Sequence, residues 1–310
     1  MSDKLISIVT PCFNEEQNIE KLCLEVEKIF KNLKYKYEHI VIDNKSTDKT
    51  RNILKSLVQK NKNLKVILNS KNFGHIRSPY YAMLQSSGDA VILLSADFQD
   101  PIELIPDLID KWKNGNKVVM LKRKSSSENF FMTFVRNSFY KFISKIGETN
   151  LVENTTGSGI YDKDIIMNLK KINDPYPYFR GLITELTDSI SIIEFHQPLR
   201  KYGKTKNNFY SLYDLAILGI IKHSKIPVRV MIIFGFISSL ICLFISVLYF
   251  FLKIIFWSKF SLGLAPLIIG IFGLASLQIL MLGILGEYVI LILTHSRNLP
   301  LVIEEDRINF

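Results

Sequence analysis

The chain has few cysteines, and none of them lies in a pattern typical of a metal knuckle or a disulfide framework. The three cysteines, Cys12, Cys23 and Cys242, are odd in number and far apart, without CxxC spacing. The segment before the first apolar strand contains Asp3 and Lys4 and lacks the long apolar stretch of a signal peptide. We therefore expect the soluble part of the chain to be cytosolic.

The chain also lacks an internal repeat, a low-complexity segment and a recognisable nucleic-acid-binding motif. Its formal charge is +10 and its isoelectric point is near 9.3, which indicates anionic partners. Acidic lipid head groups and phosphorylated substrates are such partners. Nucleic acid is the weakest of the three classes, because neither a zinc-ligand spacing nor an arginine-rich arm accompanies the charge.

Charged residues are missing from two long runs, 230–252 and 260–286. Each run exceeds the roughly 20 residues that a helix needs to cross a bilayer. We predict a transmembrane hairpin over 229–293, with spans at 230–252 and 260–290. Basic residues flank it and favour cytoplasmic ends, although the connecting loop also carries two lysines. The flanking residues are Lys222, His223, Lys225, Arg229 and Arg297, and the loop lysines are Lys253 and Lys259.

Short apolar strands alternate with helices in the first part of the chain, which predicts an α/β fold with a doubly wound, mostly parallel sheet. The predicted strands are Leu5–Val9, His39–Ile42, Leu64–Leu68, Ala90–Leu94 and Val118–Leu121. The predicted helices are Glu15–Phe30, Asp48–Gln59, Ser78–Ser86, Glu103–Asn114, Phe130–Ile146 and Asp162–Leu169. A further helix, Asn207–Lys222, is apolar on one side and is predicted to lie at the membrane interface, with a plain core helix as the alternative.

Polar residues follow three of these strands, where ligands bind in a parallel α/β sheet. The clusters are Pro11–Glu16, Asp43–Asp48 and Ser95–Pro101. Because the carboxyl ends of parallel strands meet at one edge, we expect the three loops to converge there.

Several acidic residues in these loops have two possible roles. Asp97, Gln99 and Asp100 offer oxygen ligands that suit Mg²⁺ or Mn²⁺, but an aspartate before Pro101 also suits a helix cap, which we favour for Asp100. Asp43 is well placed to bind a ribose or base, whereas Asp48 is a better helix cap. Asn14 and Glu15 have the same ambiguity, since Asn14 could cap the next helix.

The whole series of motifs resembles the glycosyltransferase family 2 catalytic domain of the GT-A type. It includes PCFNEE, DNKSTDKT, NFG and ADFQDP. The continuation resembles the two-helix polyprenyl-phosphate glycosyltransferases, relatives of dolichol-phosphate mannose synthase and the bacterial bactoprenol glucosyltransferases. It consists of Arg136 with Ser138–Tyr140, TGSGIYD at 156–162, FRGL at 179–182, Arg200–Lys206, SKIPVR at 224–229 and GILGEY at 283–288.

The resemblance implies an enzyme that moves a sugar from a nucleotide donor to a polyprenyl phosphate with inversion, in the inner (cytoplasmic) membrane. UDP-hexose and undecaprenyl phosphate are the expected substrates, and a homotetramer is the expected assembly. The implied donor-binding residues are Pro11, Phe13, Glu15, Asp43, Asp97 and Gln99, of which Asp97 and Gln99 would hold the metal. Arg123, Arg136 and Arg200 would receive the acceptor phosphate, and Asp97, Arg136 and Arg200 would be catalytic.

A phosphate acceptor also explains why no histidine, cysteine or acid stands out as a base. The second pKa of a phosphate monoester is about 6, so the group attacks as a dianion without losing a proton. Two departures oppose the assignment. Ser95 stands where the family commonly has the first aspartate of Asp-Xaa-Asp, and Asn44-Lys45 stands where Asp-Gly is usual. Lys45 could contact the donor or be solvated, and we favour solvation.

Two alternative functions follow from these observations. A polysaccharide synthase would extend a sugar hydroxyl, but it would need a base and usually a QxxRW motif, in which neither Trp112 nor Trp257 lies. A membrane module that binds nucleotide sugars without turnover would fit Ser95 and Asn44. The expected organisation is a GT-A catalytic domain at 1–206, amphipathic juxtamembrane helices at 207–228, the hairpin, and a cytoplasmic tail at 294–310.

Overall fold

The computed structural model describes residues 2–33, 35–125, 155–198, 217, 218, 221, 226–255 and 264–310. These residues belong to two compact units. One contains all the strands, the shorter helices and Asn298–Phe310, and the other contains two long apolar helices.

Eight strands form one sheet in the described part of the first unit. They are β1 (Ser2–Cys12), β2 (Tyr35–Asp43), β3 (Leu64–Asn69), β4 (Ala90–Leu93), β5 (Val118–Ser125), β6 (Thr155–Asp162), β7 (Ile190–His196) and β8 (Glu304–Ile308). The shorter helices are α1 (Ile19–Asn32), α2 (Thr50–Lys60), α3 (Gly74–Leu84), α4 (Ile105–Lys113), α5 (Lys163–Lys171) and α6 (Phe179–Leu186).

The strand order is β7-β5-β6-β4-β1-β2-β3-β8. The central strands β4, β1, β2 and β3 are mutually parallel, and β5 is parallel to β7. β6 and β8 run antiparallel to their neighbours. The prediction of an α/β fold with a mostly parallel sheet is therefore confirmed.

Apolar layers cover both faces of the sheet, because side chains alternate along each strand. On β2, Val41 packs in a layer with residues of α1, α2 and α4, whereas Ile40 and Ile42 pack in a second layer with residues of α3, α5 and α6. The strand centres are thus buried on both sides. The polar loops begin where these buried strand centres end.

The structure changes several predicted boundaries and adds strands. α1 begins at Ile19 instead of Glu15, and a 3-10 turn at Ile102–Leu104 precedes α4. Local sequence patterns predict no strand at β6, β7 or β8. The last segment is expected to be only a tail, but β8 pairs with β3 at the edge of the sheet.

The second unit contains α7 (Ile226–Ile255) and α8 (Leu264–Ser296). Within the helices that the structure describes, one stretch, Leu277–Ser296, is long and apolar enough to cross a membrane by length and composition, with a mean hydropathy of 2.1. A shorter apolar stretch, Ile226–Ser238, lies in α7. Large apolar side chains of both helices are exposed, such as Phe244 at 68% and Ile279 at 69%.

Some predicted features lie outside the described residues. They are the helix Phe130–Ile146 with Arg136, Arg200, and most of the interfacial helix Asn207–Lys222, of which residues 217, 218 and 221 are described as helical.

Candidate functional site

The three predicted loops lie at one edge of the sheet, because β1, β2 and β4 are parallel and end there. Cys12 at the end of β1 is in register with Asp43 at the end of β2. The Asn44 amide donates to the Cys12 carbonyl over 2.9 Å, and the Leu94 amide donates to the Val9 carbonyl over 3.0 Å. The structure therefore brings together the loops that the sequence placed at this edge.

The loops after β1 and β2 are joined by hydrogen bonds between backbone and side chain. The Asn14 amide donates to Ser46 Oγ over 2.8 Å, and the Glu15 amide donates to Thr50 Oγ1 over 2.9 Å. Asn14 Oδ1 accepts from the Thr47 amide over 2.7 Å. Asn14 thus fixes the neighbouring loop, and the alternative in which it caps α1 is not seen.

Asp43, the predicted nucleoside ligand, is completely buried at the end of β2. Its Oδ2 accepts from the Ser46 amide over 3.1 Å and lies 3.2 Å from Arg51 Nε in an ion pair. Burial raises the pKa of this carboxyl, and the bonds to Ser46 and the charge of Arg51 oppose that rise. Arg51 was not among the predicted site residues.

The other predicted nucleoside ligands lie in the loop after β1. Pro11 and Phe13 are half-buried, so each presents part of its surface at the edge. Glu15 is buried, and its Oε2 accepts from Asn18 Nδ2 over 2.7 Å. The Glu15 carbonyl also accepts from the Ile19 amide at the start of α1. Glu15 therefore has a structural role in this loop.

Asp48 lies just before the N-cap residue of α2, which is Lys49, so it is not the cap that the sequence predicts, although its side chain binds the first turn. Its Oδ1 accepts from the amide and the hydroxyl of Thr50, over 3.0 and 2.6 Å, in the first turn of α2. Its Oδ2 also accepts from the Glu16 amide over 3.2 Å, so the same side chain joins the two loops.

Asn44 explains one of the two departures from the family pattern. It is buried, and its Oδ1 accepts from the Phe73 amide over 2.8 Å. Its Nδ2 donates to Asn72 Oδ1 over 2.8 Å and to the Gly74 carbonyl over 3.1 Å. A carboxylate has no donor for those two acceptors. The amide therefore fixes the NFG segment to the loop after β2.

Lys45 is not simply solvated, as the sequence analysis favoured. Its backbone φ is +64°, in the left-handed region. Glycine adopts this conformation readily, whereas a residue with a Cβ, such as lysine, is strained there. Its Nζ lies 2.6 Å from Glu305 Oε2 on β8, and both side chains remain partly exposed. The expectation was wrong because sequence analysis did not place β8 beside this loop.

The loop after β4 carries the predicted metal ligands. Asp97 is half-buried, its Oδ1 accepts from the Gln99 amide over 3.1 Å, and Phe98 between them has φ of +56°. The residues that the structure describes contain no group of three or more metal-binding side chains. The Asp97 carboxylate and the Gln99 side-chain amide still suit Mg²⁺ or Mn²⁺, because these ions prefer oxygen ligands and substrate phosphates supply some of those ligands.

Asp100 is a buried hub instead of the helix cap that the sequence analysis favoured. The 3-10 turn that follows has Pro101 at its boundary and no side-chain cap. Asp100 Oδ2 accepts from the amide and hydroxyl of Ser95 over 3.2 and 2.7 Å, and from Ser158 Oγ over 2.6 Å. A buried carboxylate needs such donors, which a water-exposed cap does not. Ser95 is thus a donor to Asp100, which accounts for the second departure.

Strand pairing also places Arg123 at this edge. β4 and β5 are each antiparallel to β6, so β5 ends where β4 ends. Arg123, near the end of β5, is half-buried. Gly159 allows the close pairing, because a Cβ there would collide with the Val119 carbonyl. The other two predicted phosphate ligands, Arg136 and Arg200, lie outside the described residues.

Arg51, Glu305 and Ser158 belong to the site but are not predicted from the sequence. A basic residue after the loop of Asp43 could have indicated Arg51. Ser158 lies in the TGSGIYD motif, but its partner Asp100 is 58 residues away, and Glu305 gave no local signal, since its partner Lys45 is 260 residues away in the chain.

The sequence is similar to those of several glycosyltransferases. An uncharacterised glycosyltransferase of Synechocystis sp. is 32% identical, over 97% of this chain and 95% of the relative. The bactoprenol glucosyl transferase of Shigella phage SfV is 31% identical over 95% and 96%. A prophage bactoprenol glucosyl transferase homolog of Escherichia coli K12 is 29% identical over 92% and 93%.

The fold is similar to that of glucosyl-3-phosphoglycerate synthase from Mycobacterium tuberculosis, solved in complex with Mn²⁺, UDP-glucose and phosphoglyceric acid. The TM-score is 0.51 with 17% identity, over 70% of this chain and 78% of that one. Residues 7–171 match the family described as Glycosyl transferase family 2. This match and the relatives over nearly the full length show that the chain belongs to glycosyl transferase family 2 and is a glycosyltransferase that uses a nucleotide sugar.

Proposed function

We propose that this glycosyltransferase moves a hexose from a UDP-hexose to the phosphate of a membrane polyprenol, such as undecaprenyl phosphate, with inversion at the anomeric carbon. The observation that carries the proposal is the combination of this sheet edge with two long helices whose apolar side chains are exposed. Relatives named bactoprenol glucosyl transferase, about 30% identical over nearly the whole chain, support the same acceptor.

The nucleoside of the donor would bind to the loops after β1 and β2. Asp43 is the proposed hydrogen-bond acceptor for ribose or base, with Pro11, Phe13 and Glu15 around it. The side-chain bonds that join these loops support this role, because a preorganised site loses little entropy when its ligand binds.

The donor diphosphate would bind beside Asp97 and Gln99, which would hold Mg²⁺ or Mn²⁺. Mn²⁺ is present in the solved complex of the M. tuberculosis synthase. A divalent ion supplies charge neutralisation for a departing diphosphate. Asp100 keeps the Asp97 loop in place through its bonds to Ser95 and Ser158, although it is not itself proposed as a ligand.

The acceptor phosphate would attack without a general base. A phosphate monoester is largely a dianion at neutral pH, since its second pKa is about 6. One of its oxygens forms the new bond to the anomeric carbon, and the bond from that carbon to the nucleoside diphosphate breaks. Arg123, Arg136 and Arg200 are the proposed ligands of this phosphate, because guanidinium groups bind phosphate in a bidentate way and stay charged.

The membrane arrangement that we propose is a two-span hairpin of α7 and α8, with the catalytic domain and both ends in the cytoplasm. Strand β8, after the helices, belongs to the same sheet as the strands before them. A chain that leaves a domain on one side of a membrane and rejoins the same domain must cross an even number of times. This pairing supports two crossings over one.

A homotetramer is the proposed assembly. Gly283 and Gly286 in α8 have open space where a Cβ would lie, so a larger side chain would be tolerated within one protomer. Replacing both by leucine should reduce the mass measured by light scattering in mild detergent if α8 packs between subunits. An unchanged mass would contradict that packing.

The proposed activity can be tested with the full chain in detergent. It should be incubated with polyprenyl phosphate, a divalent cation and a panel of nucleotide sugars, and the lipid fraction analysed by mass spectrometry. We expect a polyprenyl phosphate heavier by one hexose. A product in which the sugar is attached to a sugar hydroxyl would favour the polysaccharide-synthase alternative. Donor binding without any product would favour the binding-module alternative.

The acceptor assignment has a separate test in Arg136→Lys and Arg200→Lys. Lysine keeps the charge but loses the bidentate fork, so KM for polyprenyl phosphate should rise while nucleotide binding stays the same. Equal weakening of nucleotide binding would contradict the assignment.

A further inference from the structure

Glu305 on β8 connects the C-terminal strand to the loop of Asp43. Its Oε2 lies 2.6 Å from Lys45 Nζ and 3.0 Å from Arg51 Nη2, and its Oε1 accepts from Arg51 Nη1 over 3.4 Å. The two cations lower the pKa of Glu305 to about 2, with the hydrogen bond from Lys45 as the largest cause. Glu305 is therefore fully ionised and binds both basic residues at once.

Arg51 connects Glu305 to Asp43, because it forms an ion pair with each of them. Its Nε lies 3.2 Å from Asp43 Oδ2 and is buried, but it makes no hydrogen bond. The attraction between Arg51 and Asp43 is thus electrostatic. The contacts of the other two guanidinium nitrogens determine where Arg51 lies. Glu305 holds the two terminal nitrogens of that group.

Lys45 forms its ion pair with Glu305 although its backbone conformation is unfavourable. A residue with a Cβ at φ of +64° is strained, and asparagine or glycine would fit better. The side chains of Lys45 and Glu305 are 41% and 44% exposed, so their ion pair adds little to stability. A contact of this kind is better explained by the position that it gives to the loop than by the stability that it adds to the fold.

We propose that Glu305 is a positioning residue for the donor nucleotide, holding Lys45 and Arg51 so that Asp43 keeps its orientation at the end of β2. The inference rests on the proposed function, in which Asp43 binds the nucleoside. It extends the donor site to a strand that lies after the membrane helices in the chain.

The test is nucleotide binding by the full chain in detergent, measured by titration calorimetry with UDP and with GDP in the presence of Mg²⁺. Glu305→Gln keeps the size of the side chain and removes its charge. We expect Kd for the bound nucleotide to rise about tenfold, which corresponds to about 1.4 kcal/mol. The thermal midpoint should stay unchanged, because the pair is exposed. KM for the donor should rise with little change in kcat.

Glu304 provides the matched control on the same strand. It bonds Tyr81 and Arg307 and does not contact Lys45 or Arg51 in the bonds that the structure describes. Glu304→Gln should leave Kd for the nucleotide unchanged. If Glu304→Gln weakens binding as much as Glu305→Gln does, general docking of β8 is responsible and the proposal is overturned.

Lys45→Asn gives a second variant, which removes the ion pair and relieves the strained φ. We expect weaker nucleotide binding with an unchanged or higher thermal midpoint, which loss of a merely structural contact would not produce. The double variant should bind about as weakly as either single one, because both remove the same contact. If Lys45→Asn weakens binding and Glu305→Gln does not, Lys45 contacts the donor directly and the proposal is wrong.

Nucleotide binding by the wild-type chain separates a failure of this proposal from a failure of the proposed function. A wild-type chain that binds neither UDP nor GDP contradicts the proposed donor class itself. A wild-type chain that binds one of them, with Glu305→Gln binding equally well, leaves the function standing and overturns only the role of Glu305.

Discussion

The two halves of the sheet edge are held in different ways. The side that we propose for the nucleoside, called the nucleoside side, consists of the loops at 11–16 and 43–48. It is fixed by many separate bonds from Asn14, Asn44, Asp48 and their neighbours. The side that we propose for the phosphates, called the phosphate side, is formed by the loop at 95–101 and β6. There Asp100 joins Ser95 to Ser158, and Asp97 accepts a further bond from the Gln99 amide. A site held by many bonds tolerates the loss of one, whereas a single hub does not.

The largest effect should come from Asp97 on the phosphate side. Asp97→Asn should lower kcat by about 100-fold or more, because charge neutralisation of the leaving group is lost while the side chain keeps its shape. The circular-dichroism spectrum and thermal midpoint should not change. Asp107→Asn, on an exposed position of α4, is the control. Full activity of Asp97→Asn, or full activity in excess EDTA, would refute the metal assignment.

The next largest effect should come from Asp100. Its variants test whether the phosphate side loses more stability than the nucleoside side when one residue is changed. Asp100→Ala leaves Ser95 and Ser158 without their acceptor, so the free energy of unfolding should fall by about 3 kcal/mol. Asp100→Asn should lose less, because an amide oxygen can still accept. Ser95→Asp should also destabilise the loop, since it would set two carboxylates against each other. Equal thermal midpoints for wild type and Asp100→Ala would show that Asp100 is not a hub.

Asn44 offers the corresponding change on the nucleoside side. Asn44→Asp loses both amide donors and adds a charge beside Asp43, and we expect a loss of about 1–2 kcal/mol, less than for Asp100→Ala. Thermal unfolding measures the difference, with Asn63→Asp at an exposed position as the control. A larger loss for Asn44→Asp than for Asp100→Ala would reverse the comparison of the two halves.

A pH-dependent effect is expected from His39, which lies inside the sheet below the nucleoside side. Its Nε2 lies 3.0 Å from Thr10 Oγ1, and burial lowers its pKa from 6.5 to about 3. The unfolded chain therefore takes up a proton as the pH falls through 6.5, and the folded chain does so only near 3. Stability should decrease across this window, by up to about 1.4 kcal/mol per pH unit.

Thermal midpoints between pH 7 and pH 4 test this dependence. His39→Gln keeps a polar partner for Thr10 and should flatten the curve, whereas His196→Gln, at an exposed position, should not. A wild-type curve no steeper than that of His39→Gln would rule out His39 as the source.

Much of the fold follows from local patterns in the sequence. Short apolar runs separated by amphipathic helices predicted β1–β4 and their parallel orientation, because a buried strand must be apolar on both faces. The predicted strands Leu5–Val9 and His39–Ile42 lie inside β1 and β2. The three polar loops were found in the same way, since ligand loops follow strand ends.

Other features had no local signal. β6 contains two glycines and β8 is rich in charge, so neither has the apolar alternation that identifies a strand. The helix-cap role for Asp100 was wrong because a cap is a local pattern, whereas its actual partner Ser158 comes from a strand 58 residues away.

The sequence by itself determined the α/β class, the family, the sheet edge that carries the polar loops and the two apolar helices, since each depends on residue type and spacing along the chain. Only the tertiary structure decided which of those polar residues are hubs and which side chains join the nucleoside side. Asn44 lies against the NFG segment, and Glu305 lies against Lys45 and Arg51, only because strands far apart in the chain are neighbours in the sheet. Hydrogen bonds and ion pairs act over about 3–4 Å in space, so their partners are set by strand order and register instead of by the local sequence.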